Sequence, residues 1–163
     1  YQALVIEFKL DGITWPDLLR DYETQFQFHC LPFPFLMEML DNLKQQGYLL
    51  GIISNGRGEF QNRAISGLGI GDYFDVILIS EIEGVRKPKP AIFQRGIEQL
   101  GSSAQHSIFV GDNPEADIVG AKNAGMRAIW KRSPHWLEAK QADAVIDELS
   151  EIPSILEQFN WNT

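Results

Sequence analysis

The chain has 163 residues, of which 44% are hydrophobic, and its formal net charge is -8 at pH 7. This length suits one domain with an ordinary core, and the negative charge argues against nucleic acid or an anionic membrane as the main partner, because their phosphates repel such a surface. The single cysteine, Cys30, excludes an internal disulfide framework and suits a reducing cytoplasm, and the sequence offers no apolar run long enough to span a bilayer.

The N-terminal part of the sequence has a helical pattern. Thr14 can cap a helix that has Pro16 in its first turn. Apolar residues then recur at helical spacing, at Leu18, Leu19, Tyr22 and Phe26. Residues 29–35 contain two prolines and are predicted to form a linker. We therefore divide the chain into a helical segment at residues 1–31 and a core domain at residues 32–163.

From residue 36 onward, predicted helices and strands alternate. Short apolar runs typical of buried strands lie at residues 48–53, 76–79, 107–110, 127–130 and 144–146. Helical spacing is found at residues 36–47, 60–69, 90–101, 114–125 and 152–159. This alternation predicts an α/β fold with three layers, in which helices cover both faces of a doubly wound parallel sheet.

Polar residues follow the first three predicted strands. Ser54, Asn55 and Gly56 follow the first strand, residues 86–90 contain a lysine after the second, and residues 111–117 contain two aspartates after the third. Each cluster alone is explained by a turn, a solvated lysine or a helix cap. Ligands of parallel sheets bind beyond the carboxyl ends of the strands, so we expect the clusters to converge. A hydroxyl, a lysine and two carboxylates together suit phosphoryl chemistry with a magnesium ion.

The order of these clusters resembles the haloacid dehalogenase-like superfamily. Residues 52–56 are similar to its second motif, residues 87–93 to its third, and residues 110–126 closely resemble its fourth. The resemblance runs from about residue 32 to the end of the chain. It implies a Rossmann-like core, a remnant of a helical cap at the N-terminus and a hydrolase activity.

The resemblance also implies a role for the residues of the second and third motifs. Ser54 would form a hydrogen bond with the transferring phosphoryl group. Asn55 and Gly56, next to it, would help to bind the substrate. Lys87 would neutralise the charge of the nucleophile and of the phosphoryl group.

The fourth motif implies a magnesium site. Asp112 would ligate the metal, whereas Asp117 would either support the metal or orient Lys87. Dehalogenases of the superfamily need no metal and tend to carry Ser and Asn at this motif, so Asp112 is the form expected of a phosphatase. Glu81 and Glu83 precede Lys87, and they either join the metal site or form a solvent-facing loop.

The first motif of the family, an apolar strand followed by Asp-x-Asp, has no match here. The nearest stretch, residues 8–14, has Lys9 in place of the nucleophile. Two explanations stay open. In the first, which we favour because the chain begins with Tyr1 and not Met, residues 1–28 are the end of a cap and the catalytic strand lies upstream. In the second, residues 3–8 are the central strand of a site that does not hydrolyse.

These observations lead to a functional hypothesis. We expect a cytoplasmic, magnesium-dependent phosphatase that acts on a small phosphorylated metabolite through an aspartyl-phosphate, with its nucleophile upstream of this chain. A metal-independent 2-haloacid dehalogenase and a non-catalytic phosphate-binding module are the alternatives. The family resemblance implies that the first-motif strand lies between the strands ending at Ser54 and Asp112, so without it both strands would have an unpaired edge. The substrate and the oligomeric state cannot be inferred from the sequence.

Overall fold

The computed structural model describes residues 2–9 and 12–159. Its first helix, α1 (Gln2–Glu7), covers most of the N-terminal apolar run. The alternative that places residues 3–8 in a central strand is therefore wrong. Leu10 and Asp11, which belong to the nearest match for the first motif, lie outside the described residues.

The helical segment continues with α2 (Trp15–Gln25) and a 3₁₀ turn (Phe26–His29). As predicted, α2 begins after Thr14, whose backbone N–H donates to the Asp17 carboxylate at 3.1 Å. This bond satisfies a backbone donor at the start of the helix. Within the described residues, no helix has the length and apolar character needed to cross a membrane.

The rest of the described chain alternates between helices and strands. The helices are α3 (Leu36–Gln45), α4 (Gly58–Gly67), α5 (Ser80–Glu83), α6 (Pro90–Gln99), α7 (Gly120–Asn123) and α8 (Ile152–Gln158). A π-helical turn (Pro114–Val119) leads into α7. The strands are β1 (Gly51–Ser54), β2 (Val76–Ile79), β3 (Ile108–Gly111), β4 (Arg127–Lys131) and β5 (Ala144–Ile146). Each predicted strand is thus present, and β2 and β5 have the predicted bounds.

Helices cover both faces of the strands, which confirms the three-layer α/β/α architecture. Along β4, Ala128 and Trp130 point into one core cluster, whereas Ile129 points into the other. The first cluster contains Phe93 of α6, and the second contains Leu40 of α3. The continuous apolar runs of the sequence arise because the strands are covered on both sides.

The strands form two parallel sheets in place of the single predicted sheet. β1 pairs with β2, with Gly51 opposite Val76, and β4 pairs with β3 on one side and β5 on the other. Among the described residues, no ladder joins β1 to β3. The division falls between the strands that end at Ser54 and Gly111, where the family resemblance implies an additional strand.

A cleft of about 680 Å³ lies between β1 and β3. Its walls include Ile52 and Ile53 of β1 and Phe109 and Val110 of β3, and these residues define what we call the central cleft. All four are only partly buried, whereas most residues of β2 and β4 are buried. The cleft therefore has apolar walls, and the facing edges of β1 and β3 form no ladder with any other described residue. This arrangement suits a further parallel strand.

The N-terminal helical segment packs against α4 through aromatic rings. The ring of Phe60 lies 5.6 Å from that of Tyr22 and 4.9 Å from that of Phe26, between centroids. Arg57, just before α4, forms an ion pair with Glu23. The segment is thus attached to the core, and the domain boundary after residue 31 stays a prediction.

Asp75, immediately before β2, fastens the start of β1 to the end of α3. Its carboxylate accepts hydrogen bonds from the Leu50 N–H at 2.8 Å and from the Lys44 ammonium at 3.0 and 3.1 Å. The hydrogen bond from Leu50, and then that from Lys44, hold the pKa of Asp75 below its ordinary value. The charged form of Asp75 is therefore favoured by the fold.

Replacing Asp75 by Asn should lower the free energy of unfolding at neutral pH. It should also make the free energy of unfolding change less as the pH is lowered. A carboxyl whose pKa is depressed in the folded state stabilises the fold above its unfolded pKa, about 3.9. This contribution disappears as the pH falls through the folded-state pKa. We expect the urea midpoints of wild type and Asp75→Asn to differ at pH 7 and to converge as the pH falls below the lowered folded-state pKa of Asp75. Asp72→Asn, at an exposed residue without a described hydrogen bond, is the control. A constant difference at every pH would contradict the prediction.

Candidate active site

The three polar clusters converge at the carboxyl ends of β1, β2 and β3. They line a cavity of about 760 Å³, which we call the polar cavity. Its walls include the predicted residues Ser54, Asn55, Lys87, Asp112 and Asp117. Gly56 is not part of these walls, and its N–H donates to the Ser80 hydroxyl at 3.1 Å. A direct substrate contact by Gly56 stays a prediction that this geometry does not favour.

A nearly buried ion pair forms part of the walls of the polar cavity. The Lys87 Nζ is 2.7 Å from the Asp117 Oδ1, and the two side chains are 11% and 6% exposed. The same ammonium lies 4.9 Å from the centroid of the Phe109 ring, which adds a cation–π contact. Of the two roles that the sequence leaves open for Asp117, this geometry supports the orientation of Lys87.

Asp117 also fixes the loop that follows β3. Its Oδ2 accepts a hydrogen bond from the Asn113 N–H at 3.0 Å. The Asn113 side chain in turn caps the next turn, where it accepts from the N–H groups of Glu115 and Ala116 at 3.1 and 2.8 Å. A Cβ at Gly111 would lie 2.5 Å from the Asp117 carboxylate. Only glycine therefore allows the end of β3 to approach Asp117 this closely.

Asn55 ties the loop after β1 to the backbone of Lys87. Its Oδ1 accepts a hydrogen bond from the Lys87 N–H at 2.9 Å, and its Nδ2 donates to the Lys87 carbonyl at 3.0 Å. Both ends of the amide thus position the lysine. A direct contact between Asn55 and the substrate stays a prediction.

Ser54 and Asp112 offer polar groups that are free to bind a ligand. Neither the Ser54 hydroxyl nor the Asp112 carboxylate forms a hydrogen bond within the described part of the chain. The backbone of Asp112 is nevertheless held, because its carbonyl accepts a hydrogen bond from the Trp130 Nε1 at 2.8 Å. The backbone of Asp112 is therefore held in place, whereas its exposed carboxylate is available to a ligand.

Glu81 and Glu83 do not join these residues. Glu81 accepts a hydrogen bond from the Gly58 N–H at 2.7 Å, and Glu83 forms an ion pair with Arg95. Glu81 thus ties α5 to the start of α4, and Glu83 ties α5 to α6. Both contacts hold the segments that follow β1 and β2 in place.

The described residues provide only part of a magnesium site. They contain no group of three His, Cys, Asp or Glu side chains that could hold a metal ion. Asp112 is available as one ligand, whereas Asp117 is already bonded to Lys87 and to Asn113. Magnesium is commonly held by one or two carboxylates together with waters and substrate phosphate oxygens. Asp112 therefore fits such an ion, and further oxygen ligands are needed to complete its coordination.

Three residues in or beside this site lie outside the sequence motifs. Ser80 holds the N–H of Gly56, Trp130 holds the carbonyl of Asp112, and Trp136 lines the polar cavity. Trp136 lies on the loop after β4, and this loop leaves the same edge of the strands as the three polar clusters. The predicted order of strands and helices already places the loop after β4 at this edge, and this was the feature of the sequence that could have pointed to Trp136.

Comparison with known proteins identifies related sequences. The family model described as haloacid dehalogenase-like hydrolase matches residues 2–131. The chain is 37% identical over 144 residues to a glyceraldehyde 3-phosphate phosphatase of Pyrococcus furiosus, covering 82% of this chain and 60% of that protein. It is 36% identical over 107 residues to the pyrimidine 5'-nucleotidase YjjG of Escherichia coli, covering 65% of this chain and 47% of that protein. The chain thus spans about half to three fifths of the length of these two relatives.

Solved structures show the same fold. A haloacid dehalogenase-type (HAD) phosphatase from Thermococcus onnurineus superposes with a TM-score of 0.75 at 31% identity, covering 96% of this chain and 70% of that chain. A 2-haloacid dehalogenase from Pseudomonas syringae superposes with a TM-score of 0.70 at 30% identity, covering 91% of this chain and 65% of that chain. Similarity of the overall fold therefore does not distinguish a phosphatase from a dehalogenase, and the distinction rests on the residues of the site.

Proposed function

Because the chain belongs to the haloacid dehalogenase-like hydrolase family, we propose that its polar cavity is the phosphate- and magnesium-binding part of a phosphatase active site. The proposed substrate is a small phosphorylated metabolite, and the proposed location is the cytoplasm. The observation that carries this proposal is the convergence of a free hydroxyl, a buried lysine and a free carboxylate, from Ser54, Lys87 and Asp112. The phosphatase and nucleotidase names of the relatives agree with it.

The residues of the polar cavity would bind and orient the phosphoryl group. The Ser54 hydroxyl donates a hydrogen bond to one phosphoryl oxygen, and the Lys87 ammonium attracts the negative charge. Asp117 and Asn55 keep the lysine in place, since they hold its ammonium and its backbone. Magnesium bound at Asp112 would reduce the repulsion between the phosphate and a carboxylate nucleophile.

The nucleophile requires a further element. The 163 residues of the chain contain no Asp-x-Asp, so none of them matches the pair that the family resemblance implies. We place the nucleophilic aspartate at the carboxyl end of a strand in the central cleft, which opens beside Lys87, Asp112 and Asp117. Attack of this carboxylate on phosphorus forms an aspartyl-phosphate and releases the alcohol, and water then hydrolyses the intermediate. This chain alone is expected to bind phosphate without turnover.

Dehalogenation is the competing chemistry, since a dehalogenase shares the fold. Two features favour phosphate. Asp112 presents a free carboxylate, which suits the cation that a phosphate dianion needs beside a carboxylate nucleophile and that dehalogenation does not need. The hydroxyl of Ser54 and the ammonium of Lys87 match the oxygens of a phosphoryl group. Halide release from 2-chloropropionate without added metal would favour the dehalogenase instead.

Binding of orthophosphate tests the proposal on this chain directly. Replacing Lys87 by Met should weaken orthophosphate binding at least about tenfold, because a charge-assisted hydrogen bond is lost. Magnesium should strengthen binding to wild type but not to Asp112→Asn. Phosphorus NMR titration measures both effects.

Two further variants make this test specific. Lys122→Met is the matched control, since Lys122 is also ion-paired, to Asp143 at 2.8 Å, but lies outside the polar cavity. Ser54→Ala removes a hydroxyl that forms no hydrogen bond within the described part of the chain. This variant should therefore fold normally and still bind orthophosphate more weakly. Orthophosphate affinities that are equal in wild type, Lys87→Met and Ser54→Ala, and unaffected by chelation, would overturn the proposal.

A further inference from the structure

Trp136 is the one aromatic side chain among the described residues that line the polar cavity. It is 44% exposed, and its indole N–H forms no hydrogen bond within the described part of the chain. Trp130 differs on both points, because it is 4% exposed and bonded to Asp112. An indole that is neither buried nor held by a polar partner therefore borders the candidate active site.

The loop that carries Trp136 is anchored to the core. At its far end, the Asp143 carboxylate accepts hydrogen bonds from the Ala128 N–H at 2.7 Å and from the Lys122 ammonium at 2.8 Å. Ala139 and Ala142, in the middle of the loop, pack against a core cluster. The fold itself thus holds the indole beside the cavity.

The chemistry of Trp136 differs from that of its surroundings. Among the described residues, the same walls carry charged side chains such as Arg86, Lys89 and Glu115, which suit oxygen atoms and ionic groups. An indole face instead gains energy when it stacks on another flat face, and a short acyclic group offers it little area. The cavity therefore combines polar groups for a phosphoryl group with a flat apolar surface at one side.

We propose that Trp136 contacts the leaving group of the substrate and selects phosphomonoesters whose leaving group presents the apolar face of a ring, either a sugar or an aromatic ring. This inference rests on the proposed function, because it requires that the phosphoryl group binds at Ser54, Lys87 and Asp112. Trp136 is then a specificity residue, and the binding of the phosphoryl group itself does not depend on it.

Four probes test this inference by phosphorus NMR titration of the chain with magnesium: orthophosphate, methyl phosphate, ribose 5-phosphate and phenyl phosphate. At least one ring compound should bind about fivefold more tightly than methyl phosphate, as expected for one stacking contact. Trp136→Ala should remove this preference without changing the affinity for orthophosphate, and Trp136→Phe should retain most of it. Trp15→Ala is the control, because Trp15 is 47% exposed but lies in α2, outside the cavity walls.

The outcomes separate the two proposals. A preference for phenyl phosphate alone supports an aromatic leaving group, and a preference for ribose 5-phosphate alone supports a sugar. Equal affinities for cyclic and acyclic probes, or an equal loss of orthophosphate and phenyl phosphate affinity in Trp136→Ala, overturn the role of Trp136 and leave the proposed function intact. If even orthophosphate does not bind, the proposed function fails and the inference fails with it.

Discussion

Replacing Asp117 by Ala should destabilise the fold by about 3–5 kcal/mol, because it leaves the Lys87 ammonium buried without its partner. The two side chains lie 2.7 Å apart and are 6% and 11% exposed, so water cannot replace the lost carboxylate at little cost. The change also removes the acceptor for the Asn113 N–H. Chemical denaturation of wild type and Asp117→Ala measures the difference.

A double-mutant cycle separates this ion pair from simple packing. Lys87→Met removes the ammonium and keeps an apolar side chain, so the double variant Lys87→Met/Asp117→Ala contains no unpaired buried charge. It should be more stable than the sum of the two single changes predicts, by about 1–3 kcal/mol. Lys140 and Glu138 form an ion pair that is 79% and 64% exposed, and a cycle on that pair should show almost no coupling. Strictly additive effects at Lys87 and Asp117 would contradict the prediction.

The sequence predicts the strands and the position of the site well, and the reason is physical. β4 is apolar over residues 128–130 because both of its faces are buried, and this produces an unambiguous apolar run in the sequence. Since parallel strands all end at the same edge, the polar residues that follow β1, β2 and β3 had to meet. Ser54, Lys87 and Asp112 do line one cavity.

The contacts between loops could not be predicted in this way. The amide of Asn55 holds the backbone of Lys87, and the carboxylate of Glu81 holds the N–H of Gly58. Neither contact is encoded in a period of apolar residues, because each depends on how two segments that are distant in the sequence approach each other. The position of Trp136 in the wall of the polar cavity escaped prediction for the same reason, because Trp136 lies in a loop without regular structure.

The N-terminal apolar run and the division of the sheet are two further features that the spacing of apolar residues does not determine. Residues 3–8 are short and apolar, and such a run is compatible with a helix or with a strand. The structure makes it helical, as α1. The need for a strand between β1 and β3 came from the family resemblance, since the spacing of apolar residues within each element contains no information on which strands are neighbours.

The central cleft should bind a peptide that forms a parallel strand between β1 and β3. We expect a peptide of about five β-branched residues followed by Asp-x-Asp to bind, because strands of about this length are typical and the walls of the cleft are apolar. Both of its edges would gain backbone hydrogen bonds, each worth about 0.5–1.5 kcal/mol. At a peptide concentration of about 100 times Kd, binding adds about 2.7 kcal/mol, which raises Tm by roughly 5–10 °C in a chain of this length.

The position of the peptide can be tested separately from its affinity. Successive amides of a strand point to opposite sides, so alternate amides of β1 and β3 face the cleft. Hydrogen exchange should slow at one of Ile52 and Ile53 and at one of Phe109 and Val110, whereas β5, whose partner β4 separates it from the cleft, should not change. A peptide with proline at alternate positions lacks the donors that a strand needs and should not bind. A peptide ending in Asn-x-Asn should bind as well as the Asp-x-Asp form, but only the latter should permit slow hydrolysis of p-nitrophenyl phosphate with magnesium, since it alone brings a nucleophilic carboxylate to Ser54 and Lys87. If the proline peptide binds equally well, or if protection appears at β5 instead, the cleft is not a strand-binding site.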